Sequence, residues 1–278
     1  LYDFFVTPRL HVKYNPFDWF HVRFSAGKGF RTANVLAENN FLLSSSRKMN
    51  IAADLDQEEA WNTGVNLSFY IPLFGKELTL NGEWYYTDFQ KQVVVDMDSD
   101  PHAVRFYNLE DGRSYSNSFQ VEATYPFFRG FSLTAAYRYT DAKTDYRNVE
   151  GVTRRLKKPL VSDYKGLLTA SYQTPLKKWQ FDLTGQFNGG GRMPTPDAVT
   201  PLWKPDFKAY TVVNAQITKY FRRWSVYIGA ENLFDYKQPH PIIDAENPRG
   251  DNFDGSMVWG PVHGRKIYAG LRFNISRD

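Results

Sequence analysis

The 278 residues include no cysteine, so a disulfide-stapled module and a Cys-based zinc or redox centre are both excluded. Long apolar runs are also missing, and nothing approaches the roughly 18 residues that a membrane-crossing helix requires. Yet 42% of the chain is hydrophobic, while its mean hydropathy is -0.52. Those values agree when apolar side chains are spread singly among polar ones. Blocks of one charge sign are absent as well: 34 basic and 30 acidic residues are interspersed, leaving a formal +4. That pattern offers nucleic acid no basic footprint. Histidines number only five (His11, His21, His102, His240 and His263), and none sits in a nucleophile motif, so no enzyme activity and no catalytic residue are expected.

What is abundant is aromatic and alternating. Phe, Tyr and Trp make up 17% of the chain. In the terminal stretch, Ile267, Ala269, Leu271, Phe273 and Ile275 alternate with Lys266, Tyr268, Gly270, Arg272 and Asn274. Successive strand side chains project to opposite faces, so this stretch has one apolar and one polar face. About ten further segments repeat the pattern at a length suited to a bilayer, which predicts an all-β fold, a transmembrane antiparallel β-barrel with lipid outside and water inside. The outward sets include Val6, Leu10, Val12 and Tyr14; Leu78, Leu80, Gly82, Trp84 and Tyr86; and Trp179, Phe181, Leu183, Gly185 and Phe187. No ionised side chain falls among them. The inward sets carry the charges: Lys13, His21, Arg23, Glu83, Glu122, Arg138, Lys165, Asp182, Glu231, Lys266 and Arg272.

Connections alternate in length. Tight turns are read at Asn15–Asp18, Pro72–Lys76, Pro126–Gly130, Thr174–Lys178 and Tyr220–Arg223, with long links near 26–58, 97–105, 141–162, 189–208 and 233–263. Barrels of this kind have short periplasmic turns and longer external loops, which puts the C-terminus on the periplasmic side. The strands number about eleven, whereas single-chain bacterial barrels have an even count. The chain also opens directly on strand-like Leu1-Tyr2-Asp3-Phe4-Phe5, with no export signal. The expectation is that 1–278 forms the C-terminal part of a larger barrel. A complete barrel of about twelve strands stays open, should one strand have been missed.

Three segments carry a family resemblance. Arg23 to Ala33, containing Gly29-Phe30-Arg31, resembles the strand-to-loop segment of TonB-dependent outer-membrane receptors; Ala230-Glu231-Asn232-Leu233-Phe234-Asp235 resembles their signature at the top of the penultimate strand; and Gly264–Phe273 sits where their last strand sits. Five residues after Phe273 depart from the aromatic terminus of many such barrels. The resemblance implies a barrel of about 22 strands, of which this chain holds about the last eleven, with an N-terminal plug domain and the earlier strands outside it. It further implies a location in the bacterial outer membrane, surrounded by its lipid. The implied activity is ligand-gated uptake of a scarce solute, an iron–siderophore or haem, energised by the TonB complex acting on the plug, with a surface lipoprotein as a candidate additional partner. Uptake of cobalamin or of an oligomer by the same fold is an alternative. Other rivals are a passive porin-type channel, a translocator barrel for a secreted passenger, and an outer-membrane hydrolase.

Candidate ligand-binding residues of the loops and lumen are Arg31, His240, Arg249, Phe253, Trp259 and His263. The loop 233–263 mixes aromatic and charged groups suited to a large amphipathic solute, and its two histidines could ligate haem iron or a divalent metal. Arg23, Glu83, Glu122, Arg138, Glu231 and Arg272 are expected to contact plug or lumen. Gly27 and Gly29 are read as positive-φ positions where a strand leaves the membrane. Asn232 and Asp235 are read as caps that bond backbone groups at the loop start. Asp96, Asp98 and Asp100 have the spacing of a calcium loop, but Pro101 and Tyr107 occupy its glycine and bidentate glutamate positions. That excludes an EF-hand and leaves a loosely held external calcium; no resident cofactor or protein-held metal is expected. Gly189-Gly190-Gly191-Arg192, with Pro194 and Pro196, reads as a flexible loop start.

Overall fold

The computed structural model describes residues 4–148, 150–194 and 204–275; Leu1 to Asp3 and Pro196 lie outside them. Eleven strands form one path in which each pairs antiparallel with the next: β1 (Arg9–Phe17), β2 (Phe20–Arg31), β3 (Glu58–Leu73), β4 (Lys76–Lys91), β5 (Ser114–Phe128), β6 (Phe131–Arg147), β7 (Tyr164–Gln173), β8 (Trp179–Asn188), β9 (Tyr210–Tyr220), β10 (Trp224–Glu231) and β11 (Lys266–Phe273). A twelfth strand, Thr153–Lys157, adds to the distal end of β6. β1 and β11 do not pair with each other, so the sheet is an open segment of a barrel wall.

Register carries the two-faced pattern round the wall. One row runs Lys13, Arg23, Asn66, Glu83, Gln120, Arg138, Lys165 and Asn188, each residue opposite the next. A second row, at a position of opposite parity, runs Tyr125, Leu133, Ala170, Leu183, Ala215, Ala230 and Ile267. The polar face is the concave one, since Arg23, Asn66, Ser68, Asn81, Glu83, Gln120 and Glu122 line a cleft there. On the convex face, Leu183 and Leu271 are 50% and 67% exposed and do not converge on a dry centre. Apolar side chains facing outward are stable only in hydrocarbon, and this wall crosses a membrane.

The short connections sit at one end of the strands. Phe74 and Gly75, at φ 48° and 74°, make the two-residue turn between β3 and β4, a conformation whose twist matches that of the paired strands. Aromatic rings gather at the same end. Phe17 stacks on Trp19 at 5.2 Å, Phe20 on Phe69 at 4.6 Å, Phe128 on Phe131 at 4.8 Å and Phe221 on Trp224 at 3.8 Å. They form the girdle that amphipathic rings make at a membrane interface. Close backbone approach accounts for two glycines of the terminal hairpin. A Cβ on Gly229 would lie 2.4 Å from the Tyr268 ring, and one on Gly270 would lie 2.2 Å from that of Tyr227. Each tyrosine folds over its register partner, filling the space that the missing side chain leaves.

Several local expectations are corrected. Gly27 and Gly29 lie within β2, paired to Asn62 and Ala60, and are not among the positive-φ glycines; the strand continues beyond the bilayer, so no left-handed residue is needed. Strand β1 begins at Arg9, leaving Val6 outside it. Two links are shorter than alternation suggested, because β2 runs on to Arg31 and β6 to Arg147, whereas the link between β4 and β5 is longer, 92–113. The triglycine does not start a slack loop, since Gly191–Arg192 pairs with Asp206–Phe207.

Candidate functional site

The dry core of this chain lies beyond the distal strand ends, in the long loops. Val93–Asp96 pairs antiparallel with Ala103–Asn108, which pairs in parallel with Lys48–Ile51. Val93-Val94-Val95 lacks alternation, as a strand buried on both faces should. Around this small sheet, Leu42, Met97, Val104, Phe106, Met193, Phe207, Ile243 and Met257 form one buried cluster drawn from four loops. Burying that apolar surface holds the loops as a single body.

Charge ties the loops together. Arg47 and Asp254, with side chains 2% and 1% exposed, are 3.1 Å apart. An Arg47 Nη donates to the Met97 carbonyl at 3.2 Å, and Asp254 accepts the Ser256 N–H at 2.7 Å. Burial lowers the Arg47 guanidinium from its usual pKa, while the Asp254 carboxylate opposes that shift. Arg192 grips Asp98 through two bonds of 2.6 and 3.0 Å and donates to the Lys157 carbonyl at 2.8 Å. Asp96 accepts the N–H groups of Asp98 and Ser99 at 2.9 and 3.0 Å, and Asp100 accepts that of His102 at 2.8 Å. The three aspartates of the calcium-like spacing thus bond to protein donors, and no group of three or more His, Asp or Glu is arranged for a metal among the described residues.

Between the loop body and the wall lies a half-open cavity of about 530 Å³, lined in part by Arg31, Phe41, Glu58, Val95, Tyr146 and Leu160. Apolar surface with a few ionised groups at the rim is the usual chemistry of a small-molecule site. Arg31, at the end of β2, bonds to Glu58 and lies 3.1 Å from Glu38. It is the one predicted ligand residue that lines this cavity. Glu58, Tyr146 and the valine run escaped sequence reading; only the unalternating Val93-Val94-Val95 left a signal.

The other predicted residues are dispersed. Trp259 stacks on Phe207 at 4.8 Å, packing against the loop core, and its carbonyl accepts the Tyr210 hydroxyl at 3.2 Å. Phe253 is half-buried and its carbonyl accepts the Ser46 N–H at 2.9 Å. His240, Arg249 and His263 are exposed. Of the lumenal set, Arg23, Glu83 and Glu122 line one cleft. Arg138 stands opposite Gln120 and Lys165, Glu231 opposite Lys266, and Arg272 opposite Ser225. The capping reading holds at Asn232 and Asp235. Asn232, at φ 51°, accepts the Tyr236 N–H at 3.0 Å and donates to the Tyr236 carbonyl at 2.6 Å; Asp235 accepts the Arg265 N–H at 2.7 Å. Their left-handed backbone, cheapest for Gly, Asn and Asp, explains those residue types at the loop start.

Comparison with known proteins agrees with this geometry. Among solved structures, a mutant of the ferric enterobactin receptor of Pseudomonas aeruginosa is 14% identical, with 95% of this chain and 39% of that one covered at a TM-score of 0.67. The FrpB iron transporter of Neisseria meningitidis gives 12%, 96%, 38% and 0.62. The siderophore receptor PirA of Acinetobacter baumannii gives 14%, 96%, 40% and 0.63. At such identity the likeness concerns the fold, and the chain spans about two fifths of the length of these proteins. They are receptors and transporters, not enzymes. No curated protein matches the chain in sequence. Residues 2–233 match the family model described as TonB dependent receptor-like, beta-barrel, and the chain belongs to that family.

Proposed function

We propose that this chain is the C-terminal section of the barrel of an outer-membrane receptor that takes up a ferric siderophore, with the energy supplied by the TonB complex through a plug domain elsewhere in the protein. The observation that carries the reading is the cored loop body above a polar concave wall, with a mixed apolar and charged cavity between them. A passive pore has no use for such an assembly, whereas a receptor needs preformed loops to hold its solute before transport. The iron-related names of the structural neighbours support a ferric chelate as cargo. Haem is the second candidate, through His240 or His263.

The test is growth of a strain lacking the gene, under iron restriction, on single sources: a ferric catecholate, a ferric hydroxamate, haem or cobalamin. Loss of growth on one ferric chelate, reproduced when TonB is inactivated, is the expected result. Uptake that continues without TonB overturns the proposal in favour of a passive channel. Loss confined to haem or cobalamin overturns the choice of cargo.

A further inference from the structure

The periplasmic end of the wall is charged very unevenly. The turn Asn15–Trp19 carries only Asp18, the turn joining β3 to β4 sets Lys76 against Glu77, and Pro126–Gly130 contributes Arg129 alone. The next two turns differ. Residues 174–179 read Thr-Pro-Leu-Lys-Lys-Trp and residues 219–224 read Lys-Tyr-Phe-Arg-Arg-Trp, with no carboxylate in either. The fold puts them side by side. Trp179 stands opposite Lys219 across the β8–β9 pair, and Tyr220 donates its N–H to the Lys178 carbonyl at 2.8 Å.

Lys219 is the telling residue. It follows Val213, Ala215 and Ile217 on the outward face of β9, where a cation is costly unless it reaches the interface. Its ammonium lies 4.8 Å from the centre of the Trp179 ring and 5.2 Å from that of Phe221. Those rings belong to the interfacial girdle, so the charge sits at headgroup depth on the lipid side. None of Lys177, Lys178, Lys219 and Arg223 has a carboxylate partner among the described residues. Leu176, 81% exposed at the turn tip, adds an apolar contact beside them.

We propose that this sector binds the phosphate headgroup of an acidic phospholipid, phosphatidylglycerol or cardiolipin, from the periplasmic leaflet. The headgroup rests among Lys177, Lys178, Lys219 and Arg223, and the acyl chains run up the outward side of β8 and β9 over Trp179, Phe181 and Ile217. Charge complementarity selects the lipid, because Lys219 lies on the lipid side beside the two basic turns and none of the four cations has a carboxylate partner among the described residues. Periplasmic cations attract anionic lipid surfaces through the same electrostatics that act on basic segments elsewhere. The site is independent of the transported solute.

The experiment uses the whole protein extracted in mild detergent, stripped of lipid, and titrated with phosphatidylglycerol or with phosphatidylcholine of the same chains under native mass spectrometry. Wild type is expected to retain phosphatidylglycerol preferentially, the more so at low salt. Lys177→Gln/Lys178→Gln/Lys219→Gln/Arg223→Gln should abolish the preference, while Lys76→Gln/Arg129→Gln, at the other turns, should leave it intact. Heat-modified gel mobility reports folding; if the fourfold variant fails it, Lys219→Gln alone decides, with a loss of roughly fivefold in affinity expected for one interfacial cation. Equal retention of the two lipids, an unchanged fourfold variant (or an unchanged Lys219→Gln where that decides), or an equal loss in the control variant would overturn the proposal. So would selective loss of binding to soluble peptidoglycan fragments with lipid binding unchanged.

Discussion

Placing an arginine on either side of one strand tests the wall directly. Leu183 and Thr184 are neighbours on β8, with Leu183 outward and 50% exposed, opposite Ala170 and Ala215. Thr184 faces the lumen, its hydroxyl 3.1 Å from that of Thr169. Leu183 follows Trp179 of the girdle by four residues, about 14 Å along a strand at roughly 3.4 Å per residue. A tilt near 45° makes that about 10 Å along the membrane normal, close to the middle of an apolar band about 25 Å tall. Leu183→Arg should therefore cost about 2–4 kcal/mol, the range for a cation at the midplane of a barrel's lipid face. That is roughly a 30- to 900-fold shift in the folding equilibrium. Thr184→Arg, which points into water, should cost little. Urea unfolding of the receptor in phospholipid vesicles, followed by tryptophan fluorescence and gel mobility, gives both values. Equal costs for the two variants, or a Leu183→Arg variant as stable as wild type, would refute the two-sided wall.

Three further outcomes concern the loops. Phe106→Ala removes a ring that is 1% exposed at the centre of the loop core and should destabilise that body by about 3–5 kcal/mol; protease cleavage within residues 92–113 should accelerate while the barrel still migrates as folded. Arg47→Met leaves Asp254 as a buried charge without its ion pair and should cost about 3–5 kcal/mol. Adding Asp254→Leu should recover most of that loss, read by protection of residues 238–262. The Arg265 N–H and Lys237 hold the Asp235 carboxyl below its ordinary pKa. A depressed carboxyl contributes fully at neutral pH, and the contribution fades as pH falls below about 4, through the folded pKa. Asp235→Asn should flatten the acid dependence of proteolysis at this loop, and an unchanged profile would show that the carboxylate contributes nothing there.

The alternation from Lys266 to Ile275 predicted a strand with lipid on one side, and it stands in the wall over Lys266–Phe273, two residues short of that reading. So do the other ten strands, because the face a strand residue takes depends only on its parity and on what solvates each face. The caps at Asn232 and Asp235 were equally legible, since their hydrogen bonds close within a few residues or onto the adjoining strand. Other local readings failed where a neighbour supplied what the sequence appeared to lack. Gly27 and Gly29 stay extended because β3 continues alongside them, and Arg192 is anchored by an aspartate from another loop.

Local sequence determined the wall, its two solvents and the end of each strand at which the turns are short. Only the tertiary structure decided that Arg47 meets Asp254, that Trp259 stacks within the loop packing, and that the cavity is lined by Arg31, Glu58 and Tyr146 from separate segments. Those contacts join residues far apart in the chain, with no period linking them. Their partners are chosen by packing once the strands have brought the loops together, and packing of that kind leaves no trace in the order of the residues.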